Sequence, residues 1–112
     1  ELNYSEREVW NTLNKVLNII GGKPYSVKEI SISETMERDS FTFRAAAGLW
    51  RPQEKQIIIK RDVLKQGKSR FIAVLLHELA HAISGASDAT RAFESELTRL
   101  LGVVGEKAIS NL

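Results

Sequence analysis

Val9, Leu13, Val16, Leu17 and Ile20 recur at the three- and four-residue spacing of a helix with one buried stripe, which predicts an amphipathic helix from Ser5 to Ile20. Ser5 with Glu8 has the spacing of a capping box, and Gly21-Gly22 supplies the stop. Tyr25 to Ile32 reads as a strand whose alternation slips between Val27 and Ile30, as at a bulge, and Ser33 to Ser40 is polar enough for a loop. Phe41, Phe43, Ala45, Ala47 and Leu49 then alternate as a half-buried strand does. A turn at Arg51-Pro52-Gln53-Glu54 returns the chain into an Ile-rich strand from Gln56 to Lys60, so residues 41–60 are expected to form a hairpin.

Beyond the hairpin the pattern becomes helical. Asp62 is placed to cap a single turn ending near Gly67, and Ser69 to cap a helix that runs to Ser84 and stops at Gly85. Asp88 is placed to cap a last helix through Leu101, with Gly102 as its stop; residues 103–112 are left as a short further helix or a tail. With no repeat, linker or low-complexity tract, residues 1–112 read as one α+β domain.

The Ser69–Ser84 helix carries the candidate chemistry. Phe71, Ile72, Val74, Leu75, Leu76, Leu79 and Ile83 make it apolar nearly all round, and the exception is "HELAH". At about 100° per residue, His77 and His81 lie about 40° apart, one turn above the other, with Glu78 about 100° from His77. Two imidazoles so placed can converge on one cation while the carboxylate reaches a water held on it. Zinc suits such donors, and a catalytic zinc keeps one position for water. The alternative is a pair of core histidines with Glu78 at the surface, but an isolated carboxylate is costly to bury in such a helix.

Composition narrows the options. The chain has no Cys and no third His, so a metal would need a carboxylate to complete its ligands. The 16 basic and 14 acidic residues nearly balance, and the basic ones (Lys55, Lys60, Arg61, Lys65, Lys68, Arg70) are dispersed, so nucleic acid and anionic membrane are not expected partners. No apolar run approaches the length of a membrane span, and no signal peptide is visible, which together with the lack of Cys leads us to expect a cytoplasmic protein. The start at Glu1 suggests a piece excised from a longer chain.

HELAH on an apolar helix, after a hairpin and before a second helix bearing acids, resembles a minimal zincin metallopeptidase domain. "AAAGLWRPQEKQIIIKRDVL" is similar to the hairpin before the active helix in ImmA/IrrE-like bacterial peptidases. "HELAHAISGASDATRAFESELTRLLG" resembles small HExxH domains at the C-terminal end of some GHKL-type ATPases. The resemblance covers about residues 41–102 and implies an α+β zincin-like fold: an N-terminal helix, a short, mostly antiparallel sheet, the buried HExxH helix and a following helix that supplies an acidic ligand. It implies zinc as cofactor, His77 and His81 as ligands, Glu78 as general base, a peptide or protein substrate, and an attached GHKL-type ATPase domain as a partner.

For the third ligand, the gluzincin pattern implies a Glu from the next helix, where both Glu94 and Glu96 lie. They sit about 75° and 85° to either side of the Phe93–Leu97–Leu100–Leu101–Val104 stripe, so periodicity hardly separates them. Glu94 is preferred because "TRAFE" is the part that resembles the family. Asp88 is the alternative, since "HELAHAISGASD" approximates HExxHxxGxxD with one extra residue before Gly85. In such zincins a strand borders the cleft and substrate adds to it; here it would fall within residues 43–50, where Ala45, Ala46, Ala47 and Gly48 permit close approach of a peptide, or equally close packing of sheet on helix. No Tyr or His follows the motif to stabilise an oxyanion. That departure keeps open a second expectation, a zincin-fold interaction module with a structural metal and little or no activity.

Overall fold

The computed structural model describes residues 1–34 and 47–112. Along the chain run α1 (Tyr4–Trp10), α2 (Thr12–Ile19), β1 (Glu29–Ser33), β2 (Gly48–Arg51), β3 (Gln56–Lys60), α3 (Arg61–Lys65), α4 (Lys68–Ser84) and α5 (Arg91–Ser110). The fold is α+β, as expected. Residues 41–46 of the anticipated 41–60 hairpin lie outside the described residues, whereas the rest of it, β2, the turn and β3, is present.

The strand order is β1-β3-β2, and the sheet is mixed rather than mostly antiparallel. β1 runs parallel to β3 (Glu29 opposite Gln56, Ser33 opposite Lys60), and β2 runs antiparallel to it (Gly48 opposite Ile59, Arg51 opposite Gln56). A hairpin accounts for the second pairing, but the first needs a long connection, which residues 34–55 provide. Hairpin signals are local in sequence and this parallel pairing is not.

Residues directly opposite each other share a sheet face. Ile57 and Ile59 are fully buried, so their partners Ile30, Ile32, Trp50 and Gly48 stand on the same face. That face covers α4, whose Phe71, Leu75, Leu76 and Leu79 are buried at the centre of the molecule. α5 closes the other side with Phe93 and Leu100. Val9 and Val16 are buried from α1 and α2, with Leu13, Leu17 and Ile20 packed beside them, as the stripe predicts.

Several end signals differ from expectation. The first helix starts one turn earlier: Asn3 and Glu6 form the capping box, through Glu6 N–H to Asn3 Oδ1 (2.8 Å) and Asn3 N–H to Glu6 Oε1 (2.9 Å). It is interrupted at Asn11, where the Thr12 hydroxyl donates to the Val9 carbonyl at 2.7 Å and competes with the helical ladder. Lys60, Gly67 and Thr90 occupy the caps assigned to Asp62, Ser69 and Asp88. α5 continues through Gly102 to Ser110, because buried Leu100 and half-buried Val104 hold it to the core and outweigh the helix cost of glycine, about 1 kcal/mol.

Ion pairs centred on Arg61 tie α1 to the start of α3. Glu6, 1% exposed, receives Arg61 Nη2 at 2.8 Å and Nε at 3.1 Å, and Arg61 also reaches Glu34 (2.8 Å) and the Glu1 carbonyl (2.7 Å). The guanidinium, helped by the Asn3 amide, lowers the Glu6 pKa to about 2.

Candidate metal centre

His77 and His81 lie on the face of α4 left uncovered by the sheet. The helix ends just beyond them because Gly85 takes a left-handed conformation (φ 68°) as its N–H closes on the His81 carbonyl at 2.9 Å. The chain then doubles back. Ala86 presents its carbonyl to His81 Nδ1 at 2.8 Å, and Ala89, also left-handed (φ 64°), turns the loop into α5. Between them Asp88 is carried over the two imidazoles. Its Oδ1 stands 2.6 Å from His81 Nε2 and 3.3 Å from His77 Nε2.

A carbonyl oxygen can only accept, so the Ala86 contact fixes hydrogen on His81 Nδ1 and turns the Nε2 lone pair of the neutral ring toward Asp88. The Asp88 carboxylate adds lone pairs to the same spot, and His77 Nε2, in the tautomer that carries its hydrogen on Nδ1, would add another. Electron pairs brought this close repel unless a proton or a metal cation lies among them. Two imidazole nitrogens and a carboxylate oxygen, all within 4.8 Å of one another, are a group that could hold a metal ion. Among the described residues this is the one such group of three.

Glu78 is the buried acid beside it, 7% exposed. Burial pushes its carboxyl pKa up to about 7; His81 opposes that rise and Asp88 adds to it. A cation at the imidazoles would favour its ionised form. The carboxyl is also pressed from the sheet side: a Cβ on Gly48 would come within 3.0 Å of Glu78 Cγ, 3.2 Å of its Oε2 and 2.8 Å of Val74 Cγ1. Gly48 is therefore required by close approach of β2 to α4.

The group opens into a cleft of about 940 Å³ between β2 and α4. Arg70, Ala73, Val74, His77, Glu78, His81, Ala82 and Gly85 line its floor from one face of α4, and residues 47–50 with Pro52 form the opposite wall. The Lys60 N–H donates to the Ala47 carbonyl at 2.9 Å, so with the observed register Ala47, Leu49 and Arg51 direct their backbone groups to β3. Gly48 and Trp50 then direct theirs to the other edge of β2, which has no partner strand among the described residues.

The structure thus brings His77, Glu78 and His81 together as the motif implies, and adds Asp88. Glu94 does not join them. It is exposed in the first turn of α5, because its neighbour Phe93 is the residue turned to the imidazoles, stacked on His81 (4.2 Å, 24°) and edge-on to His77 (4.9 Å), and one position along a helix is about 100° of rotation. Glu96 is engaged elsewhere, accepting from Arg99 at 2.6 Å. The role of Phe93 was not apparent from the sequence beyond its place in the apolar stripe. No family model, curated protein or solved structure matches the chain.

Proposed function

We propose that this chain is a zinc-dependent peptidase domain of the zincin type, with His77, His81 and Asp88 as ligands and Glu78 as general base. The observation that carries the reading is the convergence of three lone-pair donors on one point, with a buried carboxyl beside them, in an open cleft. The resemblance of HELAH and its surroundings to zincins, carried in part by the same residues, agrees with it. The third ligand is assigned to Asp88 in place of Glu94 because of its 2.6 and 3.3 Å approaches.

A zinc ion in this group would supply a Lewis acid that makes water an effective nucleophile near neutral pH. Glu78 accepts the proton of the attacking water and returns it to the leaving amine as the C–N bond breaks. The Ala86 carbonyl holds His81 in the tautomer that offers Nε2, the usual task of a hydrogen-bond partner behind a metal-bound histidine. The outer edge of β2, which has no partner strand among the described residues, suits an extended peptide, to which the Gly48 and Trp50 backbone groups are directed.

The cleft lining, among the described residues, contains no Tyr and no third His to stabilise an oxyanion. That favours, as the second reading, an interaction module that keeps the metal without turnover. Incubating the zinc-loaded protein with a mixed peptide pool, beside its Glu78→Gln variant, separates the two. Cleavage lost in the variant supports the peptidase; zinc binding with no Glu78-dependent cleavage assigns the module.

A further inference from the structure

The cleft floor follows α4 from Arg70 to Gly85, about 22 Å at 1.5 Å per residue, with the metal group toward its C-terminal end. Its ends differ in charge. Glu78 and Asp88 lie at the imidazole end, while Arg70, at the other, is the single Lys or Arg that lines the cleft among the described residues. Ala73, Val74 and Trp50, which also line the cleft, are uncharged. Arg70 is exposed and has no ion-pair partner among the described residues, so its guanidinium is available to a ligand.

Arg70 precedes His77 by seven positions, two helical turns, so the two share a face and stand about 10.5 Å apart along the axis. An extended peptide rises about 3.3 Å per residue, so a chain lying in the cleft with one peptide bond at the metal group places a side chain about three residues away beside Arg70. A guanidinium pairs best with a planar oxyanion, which it can hold through two hydrogen bonds.

We infer that Arg70 is a specificity-determining residue that selects peptides bearing a carboxylate about three residues from the bond cleaved. The inference rests on the peptidase reading. A carboxylate at that place comes either from an Asp or Glu side chain or from the end of the substrate chain, and the chemistry recognised is the same.

The test uses the zinc-loaded protein and a neutral, amidated peptide through which one Glu is walked, each member paired with its Gln counterpart. A matching set with a free C-terminus reports the chain-end carboxylate. Affinity is measured by titration into the Glu78→Gln protein, and hydrolysis in the wild type. Glu about three residues from the cleaved bond, or a free terminus there, should improve binding and kcat/KM by about tenfold over the neutral peptide. Arg70→Glu should reverse the preference toward Lys, a change that general loss of structure would not produce. Equal binding of Glu and Gln peptides, or a preference unaltered in Arg70→Glu, overturns the inference. Absence of hydrolysis with the charge preference retained in the titration defeats the peptidase reading and leaves Arg70 as a carboxylate-binding residue.

Discussion

Gly48 and Glu78 meet where the sheet edge crosses the central helix: a Cβ at position 48 would lie 3.0 Å from Glu78 Cγ and 2.8 Å from Val74 Cγ1. β2 and the proposed general base are thereby held in one arrangement. Gly48→Ala must part the strand from the helix, and overpacking of this kind costs about 1–3 kcal/mol. The metal group, carried by other residues, should keep its zinc. We therefore expect a lower denaturant midpoint, an almost unchanged zinc affinity and a large loss of hydrolysis, measured on the same preparation.

Phe93 lies against both imidazoles and is 5% exposed, so its ring packs the core and also confines the ligands. Phe93→Leu keeps most of the apolar contact and removes the aromatic face. Zinc affinity should fall about tenfold, as for other groups that orient metal ligands. Phe93→Ala should cost about 3–5 kcal/mol of stability, read from chemical denaturation without metal.

The Glu6–Arg61 pair gives the fold an acid-sensitive clasp away from the cleft. The Glu6 pKa falls from 4.5 to about 2 in the folded chain, so its contribution is present in full above pH 4.5 and is lost as pH drops toward 2. Thermal melts over that interval should show the wild type losing stability more steeply than Glu6→Gln. Parallel slopes for the two proteins would show that the pair is not linked to folding.

Thr90, not Asp88, caps α5: its hydroxyl accepts the Phe93 N–H at 3.1 Å. Thr90→Ala should lower stability by about 0.5–2 kcal/mol, with zinc stoichiometry kept at that of the wild type. Melts with and without zinc check both parts, since a cap is local whereas a ligand couples metal binding to folding.

These sites also mark what could be read from the chain alone. The α4 helix was legible because its apolar periodicity, its Gly85 stop and its HELAH interruption agree. Gln56–Lys60 was legible as a strand because three consecutive β-branched Ile follow a Pro turn, although the run itself does not say that Ile57 and Ile59 are the ones buried. The path of residues 85–90 was not: Asp88 has the composition of a cap, and only the left-handed Gly85 and Ala89 carry it over the imidazoles and leave the cap to Thr90. Glu94 and Phe93 are neighbours in sequence, and which of them faces α4 depends on how α5 packs. The parallel β1–β3 pairing joins residues 27 positions apart, and no local pattern encodes it.

The central claim is that His77, His81 and Asp88 together hold a zinc ion, and elemental analysis combined with competitive zinc titration tests it directly. The wild type purified without chelator should carry, or take up, one equivalent of zinc. His77→Ala, His81→Ala and Asp88→Ala should each weaken binding about a hundredfold or more, because two ligands cannot complete the site. Glu94→Ala should bind as the wild type does. Wild-type protein with less than about 0.1 equivalent and no uptake on adding zinc would contradict the metal centre itself. Full affinity in Asp88→Ala with affinity lost in Glu94→Ala would contradict the ligand set and return the third position to α5.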